Sequence, residues 1–400
     1  MNHKVSPLYL LPFDSVPMIL GLTSGFSQVF PAVLVISIPY LLFSFFRPRV
    51  FVRVMRLEFL VAAAVLTYLL FLTIINFSLL APASLTLPTF VRQLGALVGG
   101  LLIYFTFRVS DLTPERLSKF ARHLTIFLMP FILFQSPLLN SGLVRVSGLS
   151  TEPSHFGNFL VFFVLPALLL DPDRGLRFRI FFLVVNFYLL LTFSLTAYVS
   201  AFALYSFWAI AVGAFSFSLK TVWSSLIFIS IGASLLFSMK FDFSYVVSNV
   251  TNFSSREAFS EGLTVSGSLV DRFYSFWAPF SALFKGDIIF GGGIAGDYRL
   301  LPALVSPEIY EIISSVRSGQ VGFSSFVAKV ITWGGWPLFL GFCLIIFSLL
   351  MRSSRKLCAC AIPVFISGMF SLGALVVPYV WLWIAILKQN QLRSLPSHAP

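Results

Sequence analysis

Long apolar stretches restrict the fold of this chain more than any other feature. A helix that crosses a lipid bilayer needs about 20 predominantly apolar residues. Only 10% of the 400 residues are charged, whereas a soluble domain has about 25%. We therefore exclude a soluble enzyme and predict an all-α polytopic membrane protein with about twelve transmembrane helices. The twelve stretches are residues 8–24, 29–46, 59–80, 90–107, 124–139, 156–170, 180–193, 197–217, 222–238, 331–350, 357–370 and 372–387.

The first of these stretches is the weakest. Pro12, Asp14 and Pro17 interrupt it, and a proline removes a hydrogen bond from a helix interior. Residues 8–24 therefore form either a spanning helix or a broken or interfacial one, and the sequence leaves both open.

The basic residues predict the orientation. The formal net charge is +12, which in a soluble chain would suggest nucleic acid. Here, 18 of the 27 Lys and Arg residues fall in loops on one side of the predicted helices, while the short loops on the other side hold Arg145 alone. Basic residues collect on the cytoplasmic side of membrane proteins. We therefore expect both termini in the cytoplasm, contact with membrane lipid and no binding of nucleic acid.

One long outer loop, residues 240–322, belongs to what is otherwise a single transmembrane domain over residues 1–400. Apolar residues at helical spacing over 268–284 predict an interfacial helix with one apolar face. Ser306, Pro307 and Glu308 are typical of a helix start and predict a second interfacial helix. The glycine-rich run 291–296 between them predicts a flexible turn. We expect the function to lie in this loop.

Arg145, Glu152 and His155 lie close together at the outer end of the sixth stretch. Pro153 favours a helix that begins there, which places Glu152 at a helix N-terminus. The helix dipole favours an anion at that position, either the carboxylate itself or an approaching phosphate. The sequence therefore leaves two interpretations open: Glu152 either caps the helix and pairs with Arg145, or it belongs to a substrate-binding site.

Further arginines on the outer side suggest an anionic substrate. Arg272 lies on the predicted loop helix, Arg256 and Arg299 lie elsewhere in the loop, and Arg92 lies about one turn inside the fourth stretch. A guanidinium binds phosphate through two parallel hydrogen bonds, so a lipid-linked pyrophosphate would hold several of these groups. The alternatives are that Arg92 reaches the interface and that Arg272 pairs with Asp271.

The sequence offers no obvious seat for a metal or cofactor. The first two outer loops contain no paired acids, and Cys358 and Cys360 lack the spacing and partners of a zinc site. The pair Asp171 and Asp173 has the form of a nucleotide-sugar motif, but it stands alone in a short inner loop, where a helix-ending turn is expected. We therefore expect no metal and no cofactor.

Two short motifs resemble a known family. Arg145-x-x-Gly148-x-x-x-Glu152-Pro153-Ser154, followed by an apolar span, resembles a segment of Wzy-type O-antigen and polysaccharide repeat-unit polymerases. The run Asp271-Arg272-Phe-Tyr-Ser-Phe-Trp and the glycines at 291–296 resemble the Arg-helix and Gly-rich turn that these polymerases share with O-antigen ligases. The run 324–335 is similar to the segment that follows in the family.

The resemblance implies an inverting, metal-independent membrane glycosyltransferase of the GT-C type. Such an enzyme joins oligosaccharide units carried on undecaprenyl pyrophosphate, as donor and acceptor, at the periplasmic face of the bacterial inner membrane. A chain-length regulator is a further expected partner. The resemblance assigns the donor pyrophosphate to Arg145 and Arg272. We add either Glu152 or His155 as the proton acceptor, and the following substrate contacts: Arg92, Arg256, Arg299 and Tyr274.

Two other functions stay open. A transporter or flippase for lipid-linked glycans would also have about twelve spans and basic groups. Transporters place ionisable groups near the bilayer midplane, whereas the predicted spans of this chain are nearly free of them. An O-antigen ligase would have a His before the tenth span, where this chain has Phe323-Ser324-Ser325. Both comparisons favour the polymerase.

Overall fold

The chain folds into a bundle of helices. A computed structural model describes residues 7–12, 32–45, 48–79, 87–110, 112–135, 146–150, 152–192, 194–213, 267–316, 322–370 and 377–393. Within these residues no β-strand occurs, so the all-α prediction is confirmed. A 3-10 turn, Pro7–Leu10, is followed by α1 (Ala32–Phe45), α2 (Pro48–Leu79), α3 (Leu87–Val109), α4 (Pro114–Gln135), α5 (Pro153–Leu169), α6 (Leu176–Leu191), α7 (Leu195–Ala211), α8 (Gly267–Lys285), α9 (Gly296–Leu304), α10 (Pro307–Val316), α11 (Phe326–Met351), α12 (Arg355–Phe370) and α13 (Pro378–Arg393).

Several of these helices are suited to a bilayer. In the described part of the chain, four helices are long and apolar enough to cross a bilayer. They are α3, α4, α11 and the part of α2 from Arg56 to Asn76. Helix α5 and the Thr196–Ala211 part of α7 are apolar and shorter. The structure is therefore that of an α-helical membrane protein. The stretch 222–238 and most of 8–24 lie outside the described residues, and the number twelve stays a prediction.

Two helices extend well beyond their apolar stretches. Helix α2 begins at Pro48 and α4 at Pro114, about ten residues before the apolar stretch in each case. The additional turns carry basic residues such as Arg56 and Lys119. Hydropathy marks only the apolar length, whereas the backbone hydrogen bonds of a helix continue until a residue ends them. The apolar stretches that begin at 59 and 124 therefore mark only part of these two helices.

Helix α5 is the centre of the main core. Every residue from 156 to 169 is buried, and a π turn occupies Leu160–Val164. Pro166 has no N–H for the carbonyl of Phe162, and the indole of Trp383 on α13 donates to that oxygen at 2.8 Å. The tertiary contact thus replaces a helical hydrogen bond that the sequence removes.

Successive helices α2 to α7 run in alternate directions and give the bundle two ends. The end called the loop end is where α3, α5, α7 and α11 begin and where α2, α4, α6 and α12 finish. Helices α8 and α9 pack there, through the contacts of Arg272 with Thr196 and of Arg92 with Tyr298. Helix α8 also packs against α10, α11 and α12. The described helices of the long loop, α8 to α10, therefore pack together at the loop end.

The opposite end is closed by polar contacts between helix termini. Asp171, after α5, forms an ion pair with Arg122 near the start of α4. Gln389 of α13 donates to the carbonyls of Phe107 and Arg108 at the end of α3, at 2.9 and 3.0 Å. These bonds satisfy carbonyls that a helix terminus leaves without an intrahelical partner.

Candidate functional site

Helix α8 presents two different faces at the loop end. Most of its buried residues are small or polar, namely Asp271, Ser275, Ala278 and Ala282, and they are joined by Pro279 and Leu283. Its exposed face carries Phe273, Trp277 and Phe284, which are 40%, 54% and 71% exposed. A helix with small residues inward and aromatic residues outward is typical of one that contacts a membrane surface. Its placement in a membrane stays a prediction.

Arg272 connects α8 to the bundle. The half-buried guanidinium donates a hydrogen bond to the hydroxyl of Thr196 in the first turn of α7. Ser194 caps the same turn, because its hydroxyl accepts from the N–H of Ala197 at 3.4 Å. A helix N-terminus attracts anions through its N–H groups and its dipole. The contact with Thr196 therefore brings a fixed cation to a position that already favours negative charge.

The start of α5 lies directly beside the start of α7. A Cβ atom at Gly157 would be 2.5 Å from the Cβ of Ala197, so the two helices approach too closely for any larger residue. Glycine at 157 is what permits this approach. The first turns of α5 and α7 therefore pack together at the loop end, where Arg272 contacts α7.

Glu152 and His155 lie at the beginning of α5. Glu152 has an extended backbone and is followed by Pro153 as the first helical residue, in agreement with the sequence prediction. The carboxylate accepts from the hydroxyl of Ser154 at 3.1 Å and makes no bond to the helix backbone. Glu152 and His155 are both exposed. A carboxylate and an imidazole are thus accessible at this helix start.

The segment before Glu152 is held by one amide side chain. Gln135, the last residue of α4, accepts from the N–H groups of Ser147 and Gly148 at 3.1 and 2.8 Å and donates to the carbonyl of Gly148 at 2.9 Å. Gly148 has φ +59 and packs on Phe156, where a Cβ would lie 2.8 Å from the ring. This segment is therefore in a defined conformation. Two predicted site residues, Arg145 and Arg256, lie outside the described residues.

A buried hydrogen-bond network lies beneath Arg272. Ser275 is fully buried and donates to Asp271 at 3.3 Å. The backbone N–H and the hydroxyl of Ser324, just before α11, both contact the Ser275 hydroxyl at 2.9 Å. Asp271, the predicted alternative partner of Arg272, thus accepts from Ser275, and its pairing with Arg272 stays a prediction. The network anchors the first half of α8 to the start of α11.

Arg92 and Arg299 belong to a second polar cluster, around Tyr298 of α9. Arg92 donates to the hydroxyl of Tyr298 at 3.0 Å and lies 5.9 Å from the ring centre, while Gln93 donates to the same oxygen at 3.0 Å. Arg299 donates to Asn76 of α2 at 3.0 Å. Burial raises the pKa of Tyr298, with a contribution from the charge of Asp297, and burial lowers the pKa of Arg299.

These contacts make Arg92 and Arg299 part of the attachment of α9 to α2 and α3. Neither arginine contacts Arg272 in the bonds described above, and their role in substrate binding stays a prediction. Tyr274, the remaining predicted contact, packs on a small apolar cluster that contains Leu301, Ile313 and Phe323. Its role also stays a prediction.

Helix α11 is broken where the glycine-rich run meets it. Gly335 has φ +60 and ψ −151, which is accessible to glycine and strained for other residues. Pro337 has no N–H for the carbonyl of Trp333. The break therefore leaves the last carbonyls of the first segment, Thr332 and Trp333, without helical partners, and unpaired backbone groups are costly in an apolar environment.

The glycine-rich run supplies the missing partners. The N–H groups of Gly292 and Gly293 donate to the carbonyls of Thr332 and Trp333, at 2.7 and 2.9 Å. In the other direction, the N–H of Trp336 donates to the carbonyl of Ile289 at 2.9 Å. A Cβ at Gly291 would lie 2.6 Å from the Trp333 backbone. These glycines therefore serve a close backbone contact and not the flexibility that the sequence suggested. Helix α9, which follows the run, was missed as well.

Asp297 is the polar centre of this contact. Its side chain is fully buried, accepts from the indole N–H of Trp333 at 2.7 Å and lies 3.9 Å from the ammonium of Lys329. Asp297, Trp333 and Thr196 were not predicted as site residues. Lys329 was recognisable, since a charged residue at the edge of an apolar helix is expensive and usually has a partner. That partner, 32 positions earlier in the sequence, could not be identified from spacing.

Among the described residues, no group of three or more His, Cys, Asp or Glu could hold a metal ion. Comparison of the chain with protein-family profiles, curated proteins and solved structures finds no match. The helices themselves define the class, an α-helical membrane protein, and the candidate functional residues that the structure describes lie at the loop end.

Proposed function

We propose that this protein polymerises undecaprenyl-pyrophosphate-linked oligosaccharide repeat units, as a Wzy-type glycosyltransferase of the GT-C class. It crosses the bacterial inner membrane about twelve times, and its active site lies at the periplasmic face. The observation that carries this proposal is the hydrogen bond from Arg272 to Thr196. It brings the guanidinium of the loop helix to the start of α7, which packs on α5, and Glu152 and His155 are exposed in the first residues of α5.

This arrangement suits a pyrophosphate leaving group. Arg272 supplies a planar cation that can bind two phosphate oxygens, and the starts of α5 and α7 add N–H groups and positive dipole ends. The aromatic face of α8 lies beside the guanidinium and is suited to the lipid carrier. Arg145, which the family resemblance pairs with Arg272, would be the second cation.

The transfer itself needs one proton acceptor. The acceptor sugar hydroxyl attacks the anomeric carbon of the donor, and the bond from that carbon to the pyrophosphate oxygen breaks with inversion. The electron pair leaves with undecaprenyl pyrophosphate, whose charge the arginines stabilise. Glu152 or His155 takes the hydroxyl proton. One well-placed donor of this kind contributes about 3–4 kcal/mol to the transition state.

Substitution of Arg272 tests the proposal in cells. In a strain that lacks its own copy of the gene, Arg272→Ala should leave surface glycan with single repeat units and no ladder of longer chains. Arg272→Lys keeps the charge but loses the two-pronged geometry, so we expect a weak ladder. Lys285→Ala, at the exposed end of the same helix, is the matched control and should give a normal ladder. A normal ladder from Arg272→Ala would refute the proposal.

The same experiment separates the alternatives. A flippase variant would remove surface glycan altogether, because no unit would reach the outer face. A ligase variant would leave long chains that are not joined to the lipid A core. Purified protein with a synthetic polyprenyl-pyrophosphate repeat unit should yield longer products in the presence of a chelator. If the chelator stops the reaction, the metal-independent mechanism is wrong.

A further inference from the structure

A cavity of about 580 Å³ opens at the opposite end of the bundle, far along the helices from Arg272. It lies where three connections meet: the start of α4, the turn between α5 and α6, and the start of α12. Its lining residues are Thr113, Pro114, Glu115, Leu169, Leu170, Asp171, Pro172, Arg174 and Lys356. None of these residues takes part in the proposed glycosyl transfer.

The cavity contains both signs of charge. The charge of Asp171 is already compensated within the protein. Ser118 and Arg122 donate to one carboxylate oxygen, and the N–H of Asp173 donates to the other. In the described part of the chain, Glu115 and Lys356 are exposed and are held by no hydrogen bond or ion pair. The cavity therefore offers a carboxylate and an ammonium that are not committed to each other.

Arg174 is positioned by its neighbours and still has donors to offer. Its guanidinium bonds to the carbonyl of Leu169 and lies 4.5 Å from the ring centre of Phe178 and 5.4 Å from that of Trp208. A guanidinium has five N–H donors, so one bond leaves most of them for a ligand. Arg and Trp together are typical of the interface between a bilayer and water.

An apolar surface runs from the cavity along α6. Leu176, Ile180 and Leu183 follow one face of this helix at spacings of four and three and are 73%, 50% and 49% exposed, and the exposed Arg177 and Arg179 lie among them. A row of exposed apolar residues of this kind is suited to acyl chains. The cavity with this surface has the layout of a polar headgroup site at the end of a lipid-facing helix.

We propose that the cavity binds the headgroup of a phospholipid that carries a phosphate and a primary ammonium, as in phosphatidylethanolamine. Arg174 and Lys356 bind the phosphate, and Glu115 accepts hydrogen bonds from the ammonium. An anionic headgroup would leave Glu115 facing negative charge. A choline headgroup offers no N–H to Glu115, and choline is usually bound by aromatic rings, of which the lining has none.

The test measures lipid binding to the whole purified protein. Native mass spectrometry in detergent compares phosphatidylethanolamine, phosphatidylcholine and phosphatidylglycerol with identical acyl chains. We expect the ethanolamine lipid to bind at least about tenfold more tightly than the other two, the effect of one charge-assisted hydrogen bond. Equal binding of all three lipids, or tighter binding of phosphatidylglycerol, would overturn the proposal.

Two exposed substitutions identify the groups. Glu115→Gln keeps an acceptor oxygen but loses the charge, so it should reduce the preference for ethanolamine over choline. Lys356→Met should weaken the binding of the ethanolamine and the choline lipid about tenfold. Their matched controls are Glu311→Gln on α10 and Lys119→Met on α4, both exposed and outside the cavity, and these should bind as the parent protein does. Unchanged binding by Glu115→Gln and Lys356→Met counts against the site.

A competition experiment with a water-soluble headgroup distinguishes a lipid ligand from a free metabolite. Glycerophosphoethanolamine carries the same phosphate and ammonium without acyl chains. We expect it to displace the lipid only at a concentration at least about a hundredfold higher, since it buries none of the apolar surface along α6. Displacement at the concentration of the lipid itself would assign the cavity to a water-soluble ligand and overturn the proposal.

Discussion

Asp297 shows how one buried charge can hold two elements together. It joins α9 to the first segment of α11 through the Trp333 indole at 2.7 Å and Lys329 at 3.9 Å. In Asp297→Asn, the amide oxygen can still accept from the indole, but Lys329 loses its counter-charge. Removal of one partner of a buried pair costs about 3–5 kcal/mol, so we expect a loss of about 3 kcal/mol in unfolding free energy, measured by denaturation in detergent.

Two companion variants make this prediction specific to the ion pair. Asp287→Asn changes an exposed acid in the same loop and should alter stability by less than about 0.5 kcal/mol. The double variant Asp297→Asn with Lys329→Met removes both charges and should recover part of the loss. Equal stability of Asp297→Asn and Asp287→Asn would show that the pair contributes nothing.

Asp171 predicts a dependence of stability on pH. Burial alone would raise its pKa, but the hydrogen bonds from Ser118 and Arg122 outweigh it and hold the pKa below its ordinary value. A carboxylate whose pKa falls on folding stabilises the protein above the unfolded pKa, and this stabilisation is lost as the pH drops through the folded value. We expect the stability difference between the parent protein and Asp171→Asn to be constant above about pH 5 and to shrink below about pH 4.

Thermal unfolding of both proteins over a pH series measures this difference. The control is again Asp287→Asn, which changes an exposed acid outside the contact with Arg122. A gap between the parent protein and Asp171→Asn that stays constant down to pH 2 would contradict the ion pair with Arg122.

Helix α11 and the glycine-rich run act as one unit. Gly335 has φ +60, and a Cβ there would overlap the carbonyl of Ile289. Gly335→Ala should therefore destabilise the protein by at least about 3 kcal/mol, from backbone strain and from the displaced loop. Gly341→Ala is the matched control on the same helix, because its Cβ would meet nothing within 4 Å, and it should be neutral or stabilising by up to about 1 kcal/mol. Similar stabilities would contradict the broken-helix contact.

The helices differ in how far their sequences could predict them. The starts of α5 and α10 were predicted well, because Pro153 and Pro307 are local signals that need no tertiary contact. The break in α11 was not predicted, although Gly335 and Pro337 are visible in the sequence. Its form depends on a loop that lies about 40 residues earlier, and hydropathy over this stretch is uniform.

The arrangement of the whole bundle predicts which loops share a side of the membrane. In a variant without cysteines, Ser354→Cys lies at the exposed turn between α11 and α12, and Asp287→Cys lies in the exposed loop between α8 and α9. The distribution of basic residues predicts that position 287 faces outward and position 354 faces the cytoplasm. A membrane-impermeant maleimide should label position 287 in intact spheroplasts and position 354 only after permeabilisation. The reverse pattern would refute the orientation.

The sequence by itself determined the class of protein and most of the helices. Apolar length, basic loops and proline starts act within about 20 residues, so these features can be read without a structure. The candidate residues Glu152, His155 and Arg272 were proposed in the same way, from local motifs, and their roles stay predictions.

Only the tertiary structure decided which of these residues meet. Arg272 is 76 positions from Thr196, and Asn76 is 223 positions from Arg299, and no spacing rule connects residues so far apart. The structure places Arg272 at the start of α7, and it places Arg92 and Arg299 in the attachment of α9. The physical reason is that buried polar groups must find partners wherever the packed helices supply them, and helix packing is a property of the whole chain.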